Sequence, residues 1–166
     1  LARPQWVLEV DRLIVVTPGQ TMANLQFRPA TSADVPLLAA LNQLLQIDEA
    51  HRLRMDLTEL EPRMTAWLEH DGYEAHLFER NGEMVGYALY RREEGRIYLK
   101  QFFVGRQCRR QGIGRRVIEW LITNVWQDVP AVSLDVLVVN EPGIAFWRSV
   151  GFQDYCVTME RKLNRT

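Results

Sequence analysis

Residues 101–121 read QFFVGRQCRRQGIGRRVIEWL: an apolar, strand-like run, a turn crowded with arginine and glycine, and then an amphipathic helix. Arg106, Arg109, Arg110, Arg115 and Arg116 concentrate here in a chain whose net charge is only -1. The turn lies between a strand ending at Val104 and a helix beginning near Gly112. A helix start presents unpaired backbone amides and the positive end of the helix dipole, which together attract anions. Gly112 and Gly114 remove side chains that would keep a phosphate away from those amides, and Arg109 and Arg110 add donors suited to phosphate oxygens. The ligand that fits is a di- or polyphosphate. Taken by itself, R-x-x-G-x-G also describes an ordinary helix start with surface arginines, and both readings stand on this stretch alone. The spacing matches neither G-x-x-x-x-G-K-[ST] nor G-x-G-x-x-G.

The rest of the chain narrows the choice. Its 166 residues suit one domain. Cys108 and Cys156 form no disulfide framework and no C-x-x-C pair, and His51, His70 and His76 lack ligand spacing, so neither a metal site nor a disulfide scaffold is expected. The near-neutral charge argues against a nucleic-acid binder. Apolar runs such as LIVV and VLVV fall far short of the ~20 residues a membrane span needs, and no signal-peptide pattern appears. A cytoplasmic protein with no membrane and no nucleic-acid partner is expected.

Residues 1–24 stand apart as an N-terminal extension, and two readings remain open for them: WVLEVDRLIVV adds a strand closed by Pro18-Gly19, or the chain proper starts at Met22. From residue 25 to 166 the pattern is that of a single domain. A short strand at Leu25–Arg28 leads to a helix from about Asp34, with Leu37, Leu38, Leu41, Leu44 and Leu45 on one face. Thr58-x-x-Glu61 reads as the capping box of a second helix carrying Leu60, Met64, Trp67 and Leu68. EAHLFE and EMVGYALYR flank Asn81-Gly82, a strong hairpin signal, and IYLKQFFV continues the sheet. Beyond the arginine turn come a helix with Ile113, Val117, Trp120 and Leu121 inward, a strand AVSLDVLVV, a short helix near Ile144–Ser149 and a last strand QDYCVTMERKL. The expected fold is α/β, with the order β-α-α-β-β-β-α-β-α-β and a mixed sheet covered by helices on both faces.

LDVLVVNEPGIAFWRSVGF, taken with FFVGRQCRRQGIG, resembles the two sequence motifs of the GNAT superfamily of acyl-CoA-dependent N-acyltransferases. The likeness covers roughly residues 25–163. It includes Val104, the R-x-x-G-x-G of Arg109 to Gly114, the L-x-V-x-x-x-N of Leu134 to Asn140, and Gly151-Phe152. What it implies is a pair of parallel strands, Ile97–Val104 and Val132–Val139, splaying apart to hold the pantetheine arm of acetyl-CoA. The pantetheine would pair with the backbone of Phe102, Phe103 and Val104. The pyrophosphate would sit on Arg109, Arg110, Gln111, Gly112, Ile113, Gly114 and Arg115, with Asn140, Phe146 and Trp147 on the other wall. A primary amine on a small molecule would attack the thioester directly, the oxyanion being held by the backbone amide near Phe102. The resemblance is compatible with a homodimer.

Two departures from the family bear on catalysis. Trp147 occupies the position where many members carry a tyrosine that protonates the leaving thiolate, and an indole N–H cannot replace a phenol as that acid. Tyr155 is a candidate substitute. Tyr98 stands where other members place a glutamate base. A base acting through water could come from Asp48, Glu49 or His51, and Asp48 and Glu49 suggest a cationic acceptor, although the favoured reading of these charges is a solvated helix end. An acyl-CoA-binding domain that has lost its acid, and so senses without catalysing, is the alternative.

Overall fold

The computed structural model describes residues 24–49, 54–161 and 163. The N-terminal extension up to residue 23 and the candidate His51 lie outside them. Described residues up to Asp135 form one compact unit, and those from Val136 onward form a second.

The first unit is organised by a five-stranded sheet whose spatial order follows the chain: β1 (Leu25–Pro29), β2 (Tyr73–Arg80), β3 (Glu83–Glu93), β4 (Arg96–Val104) and β5 (Val132–Leu134). The first four strands run antiparallel to their neighbours, whereas β4 and β5 are parallel. The β2–β3 hairpin closes at Asn81-Gly82 with Arg80 opposite Glu83, and both turn residues have positive φ, 54° and 80°, as a two-residue turn of the twist-matching type requires.

Three helices cover the sheet: α1 (Val35–Asp48), α2 (Leu57–Glu69) and α3 (Ile113–Asn124). Tyr73 and His76, three residues apart on β2, point to opposite faces. Trp67 of α2 meets Tyr73 on one face, while Trp120 of α3 meets His76 and stacks on Phe27 at 4.1 Å on the other. Leu38, Leu41, Leu44 and Leu45 of α1, Leu60, Met64 and Trp67 of α2, and Ile113, Val117, Ile118 and Leu121 of α3 are buried. Trp120 is only half-buried, and Ile118 takes the interior place expected for it. The start of α1 is tied to β1 by a bidentate Arg28–Asp34 pair at 2.8 and 3.0 Å, which holds the Asp34 carboxyl down at about 2.

The expected cap of α2 is displaced by two residues. Asp56, not Thr58, has the extended backbone of an N-cap; its carboxylate accepts from the Glu59 amide at 3.1 Å, and Glu59 accepts from the Asp56 amide in return. Thr58 is recruited as a donor to Asp56 at 2.6 Å.

The fourth strand decides the rest. Leu89 pairs with Gln101 but Tyr90 pairs with Leu99, so Lys100 is an extra residue, a β-bulge. Bulges bend and twist the strand that carries them. The parallel ladder between β4 and β5 runs only from Ile97↔Val132 to Leu99↔Leu134, ending immediately before the bulge and five residues before β4 itself ends. The strand expected over 131–139 is therefore three residues long.

The second unit contains α4 (Glu141–Ser149). The strand expected at QDYCVTMERKL does not form among the described residues 153–161 and 163. Tyr155, Val157 and Met159 alternate as a strand would, yet alternation is only a preference; a strand also needs a ladder partner, and among the described residues none pairs with this segment.

Gly86 governs how closely β3 and β4 approach where β4 delivers the chain to the arginine turn. A Cβ there would stand 2.0 Å from the Phe103 carbonyl oxygen, and Gly105 hydrogen-bonds the Val85 carbonyl nearby at 2.9 Å. Gly86→Ala is expected to cost about 1–3 kcal/mol, lowering the melting temperature by roughly 3–10 °C in thermal denaturation; an unchanged melting temperature would show that the strands yield freely.

Candidate active site

β4 ends at Val104 and the chain turns through Gly105 and a short 3-10 segment, Arg106–Cys108, into the start of α3. Cys108 is fully buried and pins this turn to the core, and burial pushes its thiol pKa up, which fits an anchor and not a reactive thiolate. Arg110 adopts a left-handed backbone, φ 60°, uncommon for a residue with a side chain. Gly112 follows at φ 75° and forms the N-cap of α3 without any side-chain cap hydrogen bond. The helix start is thus left without the side-chain acceptor that usually covers its first amides.

The loop arginines are not equivalent. Arg106 Nε donates to Asp48 Oδ1 at 2.7 Å, and Arg109 Nη2 contacts Asp48 Oδ2, so the carboxylate ending α1 holds two guanidinium groups. Arg109 Nε also donates to the Val104 carbonyl at 2.7 Å, and the guanidinium lies 5.7 Å from the Phe103 ring. Arg109 therefore braces the loop against β4 and α1. Asp48 is engaged as its counter-ion, which removes it from the set of unpaired carboxylates. Gln111 Nε2 donates to the Gln107 carbonyl at 2.7 Å, closing the turn on itself.

On the sheet face covered by α1 and α2, the bulge presents Lys100 and Gln101 side by side. Gln101 Oε1 accepts from the Tyr87 hydroxyl at 2.9 Å. Burial, with Glu49 second, raises the Tyr87 phenol well above its usual range, which places the Glu49 charge near this pair. Lys100 Nζ lies among three aromatic rings, 5.1 Å from Trp67, 5.5 Å from Tyr73 and 6.0 Å from Tyr98. Desolvation there, aided by Arg63 and Arg91, lowers the Lys100 pKa. The Tyr98 hydroxyl donates to Asp135 Oδ2 at 2.9 Å, and burial followed by that carboxylate pushes its phenol up to about 12. Tyr98 is consequently protonated at neutral pH and serves as a donor, not as a base. Phe102 has its ring 6.2 Å from Phe78, while Phe103 is buried beside Tyr87.

One unit thus brings together Phe102, Phe103, Val104, Arg109 to Arg115, Tyr98 and Glu49. Asp135, Lys100 and Gln101 join them without having been singled out in the sequence. A lone carboxylate inside the otherwise apolar run LDVLVV was the available signal for Asp135; Lys100 and Gln101 are exposed as a pair only by the bulge, which has no local signature.

In the second unit, Asn140 is the N-cap of α4, its Oδ1 accepting from the Gly143 amide at 3.0 Å. Phe146, Trp147 and Phe152 form an edge-on aromatic chain with centroid separations of 4.9 and 5.1 Å. Tyr155 is 95% exposed in a segment without regular structure. Among the described residues no cluster of histidine, cysteine or carboxylate suited to a metal occurs, and no helix is long and apolar enough to cross a membrane.

Known proteins of the same architecture share the fold at low identity. A structure from Clostridium difficile 630 described as a possible acetyltransferase superposes with a TM-score of 0.70 at 17% identity, covering 86% of this chain and 99% of that one. The aminoglycoside N-acetyltransferase AAC(6')-Iy, in complex with CoA, gives 0.67 at 12% identity, with 90% and 100% covered. A predicted acetyltransferase with acetyl-CoA, from Clostridium acetobutylicum, gives 0.65 at 18% identity, with 83% and 96% covered. No curated protein sequence matches the chain. The sequence profile of the acetyltransferase (GNAT) family matches residues 40–152, which spans both motifs, the bulged strand and the glycine-capped helix start, and the chain belongs to that family.

Proposed function

We propose that this protein transfers the acetyl group of acetyl-CoA to the primary amine of a small molecule. The observation that carries the proposal is the path of β4, which runs on from its last pairing with β5 through the bulge to Val104 and then, by the arginine turn, into a helix start capped by glycine alone. A single strand then offers backbone groups for the amides of pantetheine and, at its end, an anion site for the pyrophosphate. The backbone of Phe102, Phe103 and Val104 pairs with pantetheine, and the amides of Arg110, Gln111, Gly112, Ile113, Gly114 and Arg115 take the pyrophosphate. Arg109 acts by holding the loop in shape. Asn140, Phe146 and Trp147 add cofactor contacts on the strength of their motif.

The acceptor amine attacks the thioester carbon, and the oxyanion that forms is stabilised by the backbone amide near Phe102. The intermediate collapses with departure of the CoA thiolate, and the ammonium proton passes through water to Glu49 or Asp135, the carboxylates near the bulge. Tyr98 orients Asp135 through its hydroxyl. A CoA complex of an aminoglycoside N-acetyltransferase among the structures of similar fold supports a small amine as acceptor. Trp147 favours the second reading, a domain that binds acyl-CoA without turning it over. Against that, a free thiol has a pKa of about 8.5, so a thiolate leaves near neutral pH without an acid, only more slowly.

Acetyl-CoA at about 100 times its dissociation constant is expected to stabilise the fold by about 2.7 kcal/mol, a rise of roughly 5–10 °C in melting temperature. Pantetheine should give a smaller rise, and equal shifts would remove the pyrophosphate as an anchor. Gly112→Asn retains a residue that tolerates the left-handed backbone while placing a side chain at the helix start. Its melting temperature without ligand should stay near that of the parent, and calorimetry should show CoA affinity reduced at least tenfold with pantetheine affinity unchanged.

The vacancy left by the missing tyrosine is tested by Trp147→Tyr against Trp147→Phe. A well-placed acid is worth about 10²–10⁴-fold in rate, and a smaller ring that loosens its surroundings should reduce this to roughly tenfold. The Tyr variant is therefore expected to exceed the Phe variant in kcat by about tenfold. Equal kcat values in the two would place the acid elsewhere or make it unnecessary.

A further inference from the structure

Arg80, the last residue of β2, is 3% exposed, and its Nη2 has no hydrogen-bond partner. Among the described residues no carboxylate forms an ion pair with it. Its Nη1 donates to Gln111 Oε1 at 3.0 Å, which places the guanidinium directly beneath the arginine turn, and its charge also reaches the Cys108 thiol that anchors that turn. The alternation of β2 puts Arg80 on the same face as His76 and Phe78, the face covered by α3.

This is an unfavourable place for a cation. Burying a charge without a counter-ion is costly. The start of α3 adds the positive end of a helix dipole, where cations are disfavoured and anions are stabilised. Among the described residues, the acceptor that its guanidinium reaches is the neutral amide oxygen of the exposed Gln111 side chain. A buried guanidinium with an orphan N–H is linked through Gln111 to a glycine-capped helix start, and both are satisfied by the same chemistry, a phosphate.

We propose that Arg80 is a phosphate-binding residue of this loop and that Gln111 is its cover, the amide oxygen standing in for a phosphate oxygen until the ligand arrives. When phosphate binds, Gln111 turns outward and Arg80 donates to the anion from below while the amides of α3 donate from above. The inference rests on the acetyl-CoA reading above and adds to it a cation contributed by the hairpin end, outside both sequence motifs. It makes the affinity for the phosphate part of the cofactor depend on a residue that holds no contact with pantetheine.

Calorimetry with CoA, dephospho-CoA and pantetheine on Arg80→Met tests this. Parent protein that binds no CoA would refute the cofactor reading itself. Given a parent that binds, Arg80→Met should lose about ten- to a hundredfold in affinity for CoA and for dephospho-CoA alike, keep its pantetheine affinity, and melt no lower than the parent without ligand, since a buried unpaired charge has been removed. Unchanged CoA affinity, or equal losses for CoA and pantetheine, would overturn the role of Arg80. Gln111→Glu provides a second variant that leaves the core intact: it gives Arg80 a permanent carboxylate. It should raise the melting temperature without ligand and narrow the ratio of CoA to pantetheine affinity; a lower melting temperature with that ratio unchanged would contradict the proposal.

Discussion

A one-residue slip in the pairing of β3 with β4 controls the arrangement of this molecule. With Lys100 left over between Leu99 and Gln101, β4 bends where its parallel partner β5 stops, and the rest of β4 continues toward the arginine turn held by β3 alone in the ladder. The same slip turns Lys100 and Gln101 toward α1 and α2 together, where one meets an aromatic cluster and the other the Tyr87 hydroxyl. A strand paired evenly on both sides would have spent its backbone groups on the sheet and alternated these side chains across it. The bulge lets one strand serve as sheet over its first half and, in the proposed function, as a binding edge and the approach to an anion site over its second.

The electrostatics of the turn follow from how its cations are held. Five arginines between residues 106 and 116 would repel one another if left to themselves. Asp48 at the end of α1 binds Arg106 and Arg109, and Val104 takes a further hydrogen bond from Arg109. Charge that the sequence presents as an exposed patch is in this way converted into a brace joining α1, β4 and the loop. The left-handed Arg110 and Gly112 then shape the backbone that leads into the start of α3. Backbone amides cost no side-chain entropy to position, which suits the proposed site for a charged, flexible cofactor arm.

Much of this was legible in the chain because local chemistry dictated it. Asn81-Gly82 fixed the hairpin and its register, the leucine spacing fixed the buried face of α1, and the Val104-to-Gly114 stretch fixed the strand, turn and helix that carry the loop. What escaped had non-local causes. Asp56 outcompetes Thr58 for the cap of α2 because backbone geometry at the entry selects it. The strand expected over 131–139 stops at Leu134 because β4 bends away, and the alternation of Tyr155, Val157 and Met159 goes unused because no strand pairs with it. Tyr98 stands where other family members place a base, and its partner Asp135, which accepts its hydroxyl, lies 37 residues on, beyond the reach of any local pattern. Arg80 gave no sign at all, since a lone arginine at a hairpin end reads as solvated until a helix is laid over it.

The acyl transfer proposed above relies on positioning more than on a strong acid. The most direct measurement is mass spectrometry of products from acetyl-CoA and a panel of small primary amines. At least one amine should gain a single acetyl group in equimolar amount with released CoA, at a rate above the uncatalysed reaction. Saturable binding of acetyl-CoA with no acetylated amine from any member of the panel would contradict the account and leave a domain that binds the cofactor without using it.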